Sequence, residues 1–141
     1  MSGALLAMSV ESLRVGLSVA VVQEIVDRPP SRPLPRAPAH LVGLASLRGA
    51  PLPLVDLGVL LSIGALPPRE GRAVIAELEG GLRAGFLVSR VHGVIADAKR
   101  QRSTAPLDAA LRTVTVGEVL SPDGVTLELD PHALFEVSRA C

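Results

Sequence analysis

The side chains best able to do chemistry in this sequence are three histidines and two serines. His40, His92 and His132 lie far apart, and none has a Cys, Asp or second His at the spacing of a metal site. Ser46 and Ser89 are candidate nucleophiles, but neither lies in a Gly-x-Ser-x-Gly elbow. We expect no metal site, and a hydrolase that uses Ser46 and His40 is kept as the enzyme alternative.

The remaining polar motifs also lack a catalytic pattern. Glu77 and Glu79 alternate as they would on the solvent face of a strand. The glycine-containing stretch GALPPREGR has neither the Lys-Ser/Thr of a phosphate-binding loop nor a dinucleotide fingerprint. The sequence therefore predicts a non-enzymatic protein without a cofactor.

One arginine, Arg48, lies in the largely aliphatic stretch HLVGLASLRGAPLPLVDLGVLL. A guanidinium stays charged at physiological pH, and burying it without a partner costs several kcal/mol. Arg48 must therefore either pair with an acid or face solvent, and these alternatives imply different functions.

Composition restricts the possible functions further. A chain of 141 residues with 48% hydrophobic residues is long enough to form the core of one domain. It has no Trp or Tyr, two Phe and a formal net charge of zero, whereas proteins that bind single-stranded nucleic acid combine aromatic platforms with positive charge. A small barrel that binds nucleic acid or a peptide is kept as the alternative from another class.

Three features predict a cytoplasmic protein. Cys141 is the only cysteine, so no intramolecular disulfide can form, and we expect an inert thiol. The N-terminal MSGALLAMSVESL lacks the basic region of a signal peptide. No segment approaches the roughly 20 apolar residues of a membrane-spanning helix.

Short aliphatic runs bounded by Gly, Pro, Ser or Asp predict an all-β barrel or sandwich. Nine strands are expected, at Ala4 to Val10, Leu13 to Leu17, Leu41 to Leu47, Leu52 to Val55, Ala73 to Leu78, Leu82 to Val88, Gly93 to Ala96, Thr113 to Val119 and Val125 to Leu129.

Turn and cap residues connect these strands. Gly80-Gly81 predicts a tight hairpin, and Pro122-Asp123-Gly124 predicts a second turn. The five prolines between Arg28 and Pro38 exclude an interior strand there and predict an exposed connection. Short helices are expected from Ser18, for about two turns, and after the caps Asp56 and Asp130.

The stretch around Arg48 resembles a motif of the CheW-like domain of bacterial chemotaxis coupling proteins. The residues that match in order, without a gap, are Pro38, Gly43, Leu47, Arg48, Gly49, Pro53, Val55, Asp56 and Leu57. The segments Val22 to Ile25, Gly85 to Ile95 and the C-terminal GVTLELDPHALF extend the resemblance over the chain. Departures from the family pattern occur at Val15, Ser46, Gly58 and Ser89.

The resemblance implies a fold and a function. We expect one domain over residues 1–141, mainly β, built of two five-stranded SH3-like β-barrel subdomains that share an apolar core, with a few short helices. Its implied role is a non-enzymatic adaptor that couples the cytoplasmic tip of chemoreceptors to a CheA-type histidine kinase. An adaptor of a non-flagellar chemosensory pathway that has lost part of one interface is the nearer alternative.

The resemblance also implies roles for individual residues. Arg48, Val22 and Glu24 are expected to contact the receptor in a groove between the subdomains, while Leu41, Val42 and Leu52 are expected to contact the kinase. A structural role is expected for Gly43, Gly49, Pro53 and Asp56, as small, turn or cap residues. The alternative for Arg48 is that it only pairs with Asp56 or Glu24 to close a barrel.

Overall fold

The computed structural model describes residues 3–65, 71–96, 98–101 and 108–139. These residues are mainly β, as predicted. The strands are β1 (Leu5–Val10), β2 (Leu13–Ser18), β3 (Val22–Asp27), β4 (Ser31–Arg32), β5 (Leu41–Leu47), β6 (Ala50–Asp56), β7 (Arg72–Glu77), β8 (Arg83–Val88), β9 (Arg90–Ile95), β10 (Arg100–Gln101), β11 (Thr115–Ser121) and β12 (Gly124–Leu129). The α-helices are α1 (Leu57–Leu60), α2 (Ala109–Val114) and α3 (Pro131–Arg139), and 3-10 turns occupy Val19–Val21 and Glu79–Gly81.

The strands form two sheets whose chain segments interleave. The first sheet has the order β10-β11-β12-β2-β1-β9, and the second has the order β3-β7-β8-β6-β5-β4. Each sheet holds five strands of six or seven residues and one two-residue strand at an edge. The central part of the chain thus builds the second sheet, while the two ends meet in the first through the parallel pairing of β2 and β12.

A single apolar cluster, the shared core, joins the two sheets. Along β7 and β8, Val74 and Phe86 face this shared core, whereas Ile75 and Leu87 face a separate cluster inside the second sheet. Helix α3 packs onto the shared core, where the rings of Phe86 and Phe135 meet edge to face with centroids 5.3 Å apart. The predicted apolar core common to two β subdomains is therefore confirmed.

The turns follow the local chemistry of the sequence. Gly80 and Gly81 both adopt φ of +81° between β7 and β8, which confirms the predicted hairpin. The chain reverses between β11 and β12, where Ser121 pairs with Gly124. Asp130 precedes α3 and accepts a hydrogen bond from the backbone N of His132 at 3.0 Å, as a cap does. Within Arg28 to Pro38 the structure places only the short edge strand β4.

One element prediction is wrong, and one predicted strand begins two residues later than expected. The segment from Ser18 forms one 3-10 turn, in which the Ser18 hydroxyl accepts from Ala20 N, and then continues as strand β3. The β-branched Val22, Ile25 and Val26 favour the strand once β7 is available to pair with them. The strand predicted from Thr113 begins instead at Thr115, because Asp108 caps helix α2. Cys141 lies outside the described residues.

Candidate partner-binding surfaces

Arg48 lies in the tight turn between β5 and β6. Leu47 pairs with Ala50, and the two residues between them, Arg48 and Gly49, both have positive φ, +50° and +81°. This is the conformation of a two-residue type I′ hairpin turn, which Asn-Gly forms most readily. Glycine adopts such a positive φ without a steric penalty, so Gly49 suits its place in the turn. Arg48 adopts a conformation that costs an ordinary L-residue about 1 kcal/mol or more.

The local geometry of three further motif residues, Gly43, Asp56 and Pro53, is as follows. A Cβ on Gly43 would lie 2.2 Å from the carbonyl oxygen of Arg32, so only glycine allows β4 to approach β5. Asp56 caps α1 by accepting a hydrogen bond from the backbone N of Val59 at 3.2 Å. Pro53 pairs with Leu44. Counted from the turn, this is a non-hydrogen-bonded pair, so the missing N–H of Pro53 costs the hairpin no ladder bond.

Arg48 forms a two-pronged ion pair with Glu24. Its Nη2 donates to Glu24 Oε1 at 2.9 Å, and its Nη1 donates to Glu24 Oε2. Glu24 lies on β3, at one edge of the second sheet, whereas the β5–β6 turn lies near the opposite edge. The sheet must therefore curl for these side chains to meet. Of the two partners considered for Arg48, the structure shows Glu24.

The pair remains accessible to solvent. The Arg48 side chain is 71% exposed and that of Glu24 is 25% exposed. The hydrogen bond from Arg48 lowers the pKa of Glu24 below its usual 4.5; burial opposes this, and the charges of Arg48 and Arg83 reinforce it. The pKa of Arg48 is raised in turn, so both groups stay charged. Arg48 is thus paired with Glu24 and exposed to solvent at the same time.

The other candidate contact residues differ in exposure. Val22, Leu41 and Val42 are half-buried; Val22 and Leu41 pack against the shared core, and Val42 packs against the core inside the second sheet. Leu52 is 0% exposed in that inner core. The assignment of Leu52 as a kinase-contact residue is therefore corrected: β6 turns this side chain inward, and it is a core residue.

Local packing accounts for two departures from the family pattern. A Cβ on Gly58 would lie 2.1 Å from the carbonyl oxygen of Gly64, so the loop after α1 excludes any side chain there. Ser89 accepts a hydrogen bond from the backbone N of Glu11 at 2.9 Å and so holds the β1–β2 turn, in which Glu11 has φ of +56°. Ser46 is exposed on β5.

The histidines do not converge on one site. His40 Nε2 bonds the carbonyl oxygen of Ser138 at 2.8 Å, which fastens the start of β5 to α3. Within the described residues, no group of three His, Cys, Asp or Glu side chains could hold a metal ion. Ser9 Oγ and His92 Nε2 are 2.5 Å apart, a Ser–His contact that the sequence analysis did not predict. The register of β1 and β9 was needed to find it.

A cleft of about 210 Å³ opens between α3 and the β7–β8 turn. Leu78, Leu82 and Phe135 form its apolar part, and its charged or polar lining residues are Glu79, His132, Glu136 and Arg139. Helix α3 follows β12 of the first sheet, and β7 and β8 belong to the second sheet. The cleft therefore lies between the two subdomains. Arg48 does not line this cleft.

None of the helices in the described part of the chain is long and apolar enough to cross a bilayer.

Known proteins share both the sequence pattern and the fold. The family model of the CheW-like domain matches residues 4–139. The chemotaxis protein CheW of Rhizobium meliloti (strain 1021) is 30% identical over 102 residues, which are 72% of this chain and 66% of that protein, just under two thirds of its length. The chemotaxis protein CheW of Thermotoga maritima is 21% identical over 131 residues, 93% of this chain and 86% of that protein. The crystal structure of the scaffolding protein TtCheW from Thermoanaerobacter tengcongensis superposes with a TM-score of 0.81 at 26% identity and covers 96% of this chain and 94% of that one.

Proposed function

Because the chain belongs to the CheW-like domain family, we propose that it is a non-catalytic cytoplasmic adaptor that couples chemoreceptors to a CheA-type histidine kinase. Such a role requires separate surfaces for two partners and no reacting group. The observation that carries the proposal is the Arg48–Glu24 pair, since the turn holds an arginine in an unfavourable conformation and still leaves it 71% exposed. Backbone strain that folding alone does not require is commonly found at functional sites.

The receptor surface that we propose consists of Arg48, Glu24 and Val22. The guanidinium fork can donate to a carboxylate or to the free carbonyls of a helical tip, while its stem covers apolar surface. Val22, half-buried on the same strand as Glu24, supplies an apolar neighbour. Glu24 holds the guanidinium in position until the partner arrives.

The kinase surface that we propose uses Leu41 and Val42 on β5. Both side chains are half-buried, so a partner can complete their burial. The interface can be small, about 1,200 Å² or less, because an array of receptors and kinases multiplies weak contacts by avidity.

Co-sedimentation tests both contacts. The purified chain is mixed with membranes that carry a chemoreceptor, with or without a CheA-type kinase, and kinase autophosphorylation is measured on the pellet. We expect the chain to pellet with the receptor and to change kinase activity. A correctly folded chain that binds neither partner would overturn the proposal.

Two charge reversals locate the receptor contact. Arg48→Glu should abolish sedimentation with the receptor, retain kinase binding and leave the far-UV circular dichroism unchanged. Arg72→Glu is the matched control, because Arg72 is also an exposed arginine of the second sheet paired with a carboxylate, Asp27, at 3.4 Å. Equal effects of the two reversals would count against a specific role for Arg48.

The alternative adaptor, which serves another pathway with one interface lost, is distinguished in the same assay. Ser46 is an exposed departure from the family pattern on the strand that carries Leu41 and Val42. A chain that binds the kinase but sediments with no flagellar receptor would favour this alternative, and genes for pilus or gliding motility beside its own gene would support it.

A further inference from the structure

A group of four polar side chains, the Ser9 cluster, lies on the first sheet, away from the Arg48 turn. Ser9 is on β1 and pairs in register with Arg14 on β2 and with Arg90 on β9. Residues in register on neighbouring strands point to the same face, so the two arginines flank the Ser9 hydroxyl from both sides. His92 completes the cluster through its 2.5 Å contact with Ser9 Oγ.

His92 lies at an irregularity of β9, on the face that carries Arg90. Ala7 pairs with Gly93, and the next residue, Met8, pairs with Val91, so His92 is the extra residue of a bulge. Bulges re-aim side chains and are common beside binding sites. His92 is two residues from Arg90 and is exposed like it, so its side chain lies on the same face as Arg90 and Ser9.

The arginines of this cluster differ from others in the protein. Arg48, Arg72 and Arg100 each form an ion pair with a carboxylate. Arg14 and Arg90 form none with any described residue. The contact that Arg14 makes is from Nε to the hydroxyl of Thr126 at 3.5 Å, which does not use its terminal nitrogens.

The charges around His92 fit this arrangement. Burial lowers the pKa of His92, and the positive charges of Arg14 and Arg90 lower it further, while Asp123 in the β11–β12 turn opposes them. Glu11, exposed in the β1–β2 turn, is the other acid near Ser9 along the chain. Without a ligand, the cluster therefore presents two guanidinium groups, a hydroxyl and a neutral imidazole.

We propose that the Ser9 cluster binds a phosphate group carrying two negative charges. Neighbouring strands lie about 4.8 Å apart, so Arg14 and Arg90 are two strand spacings apart and their long side chains can converge above Ser9. Two guanidinium forks match the charge and the oxygens of a dianion, and the hydroxyl and the imidazole supply further hydrogen bonds. This proposal does not rest on the proposed adaptor function, because the cluster lies on the first sheet and the residues proposed to contact the receptor and the kinase lie on the second.

Titration with inorganic phosphate tests the site in the intact chain. At constant ionic strength set with chloride, we expect saturable shifts of the backbone amide signals of Ser9, Arg14 and Arg90, and a rise in the pKa of His92 read from its ring protons. Arg14→Gln and Arg90→Gln should each weaken binding about tenfold or more, as loss of a charge-assisted hydrogen bond does. Arg32→Gln, an exposed arginine on β4 of the other sheet, is the matched control and should change nothing.

Removal of the acid Asp123 should change the affinity for phosphate in the opposite direction to removal of an arginine. Asp123→Asn should tighten phosphate binding, because it removes the negative charge that acts on His92. No saturable shift in the millimolar range, or equal affinity in the two arginine variants and the wild type, would overturn the proposal.

Two further ligands distinguish the sources of the phosphate. A small phosphate monoester such as glycerol phosphate that competes with inorganic phosphate supports a site for a phosphorylated metabolite, while binding of inorganic phosphate alone supports a site for the free ion. Binding only to vesicles that contain phosphatidylglycerol, whose diester carries one charge, contradicts a dianion site.

Discussion

The Arg48–Glu24 pair and the Arg100–Glu128 pair each join segments that are not neighbours in a sheet, but they lie in different environments. Arg48 joins the β5–β6 turn to β3 at the surface, with 71% of its side chain exposed. Arg100 on β10 bonds through Nε to Glu128 on β12, across the intervening β11, and their side chains are only 26% and 9% exposed. A buried pair affects folding strongly when it is broken, whereas an exposed pair contributes little to folding and is free to meet a partner.

The largest expected effect on stability comes from the buried pair. Glu128→Gln replaces the carboxylate that Arg100 contacts by a neutral amide, and we expect the free energy of unfolding to fall by about 2 kcal/mol, as loss of a charge-assisted hydrogen bond does. Urea denaturation followed by circular dichroism measures it. Glu136→Gln, at an exposed position of α3, is the control and should have little effect. A loss as small as that of the control would show that the first sheet does not depend on the pair.

Exchanging the two charges of the exposed pair separates its two possible roles. In the double variant Glu24→Arg with Arg48→Glu, an ion pair can form again across the same strands. If the pair only closes the second sheet, this variant should recover receptor binding that Arg48→Glu lacks. We expect no recovery in the co-sedimentation assay, because the proposed contact requires a guanidinium in the turn. Full recovery would show that the role of Arg48 is structural.

Much of the architecture could be predicted because it depends on local signals. Apolar runs located nine of the strands, and Gly80-Gly81 and the Asp56 and Asp130 caps located turns and helix starts. The two-residue strands β4 and β10 were missed because two residues carry no alternation that can be recognised. The wrong helix from Ser18 had a different cause: β3 becomes a strand by pairing with β7, about 50 residues further along the chain.

The candidate site residues also divide into those that a local sequence signal indicated and those that depend on the tertiary structure. The family motif pointed to Arg48 and Glu24, and the turn chemistry of Gly49 was evident from the sequence. The inward orientation of Leu52 depended on which face of β6 meets the inner core, so sequence alone did not separate it from a surface leucine. The Ser9 cluster depends on the register of three strands, β2, β1 and β9, and that register leaves no signal in the order of residues.

Replacing Arg48 by asparagine separates the turn from the ion pair. Asn adopts positive φ more readily than Arg and is the preferred residue before Gly in a type I′ turn. In Arg48→Asn, the relief of backbone strain should offset the lost pair, so the denaturation midpoint should stay the same or rise while receptor binding is lost. A drop comparable to that of Glu128→Gln would contradict the view that the exposed pair contributes little to folding.

The smallest expected effect is the pH dependence of the exposed pair. Since the folded-state pKa of Glu24 is lowered from 4.5, mainly by the Arg48 hydrogen bond, its contribution to stability is present above pH 4.5 and is lost as the pH falls through the folded-state pKa. The carboxyl carbon of Glu24, followed by NMR, should therefore titrate below its usual range in the wild type and closer to it in Arg48→Gln. Salt should narrow the difference between the two proteins, because both side chains are reached by solvent. Identical midpoints would mean that Arg48 spends most of its time away from Glu24, and the surface offered to a receptor would then be an unpaired, mobile guanidinium instead of a preorganised fork.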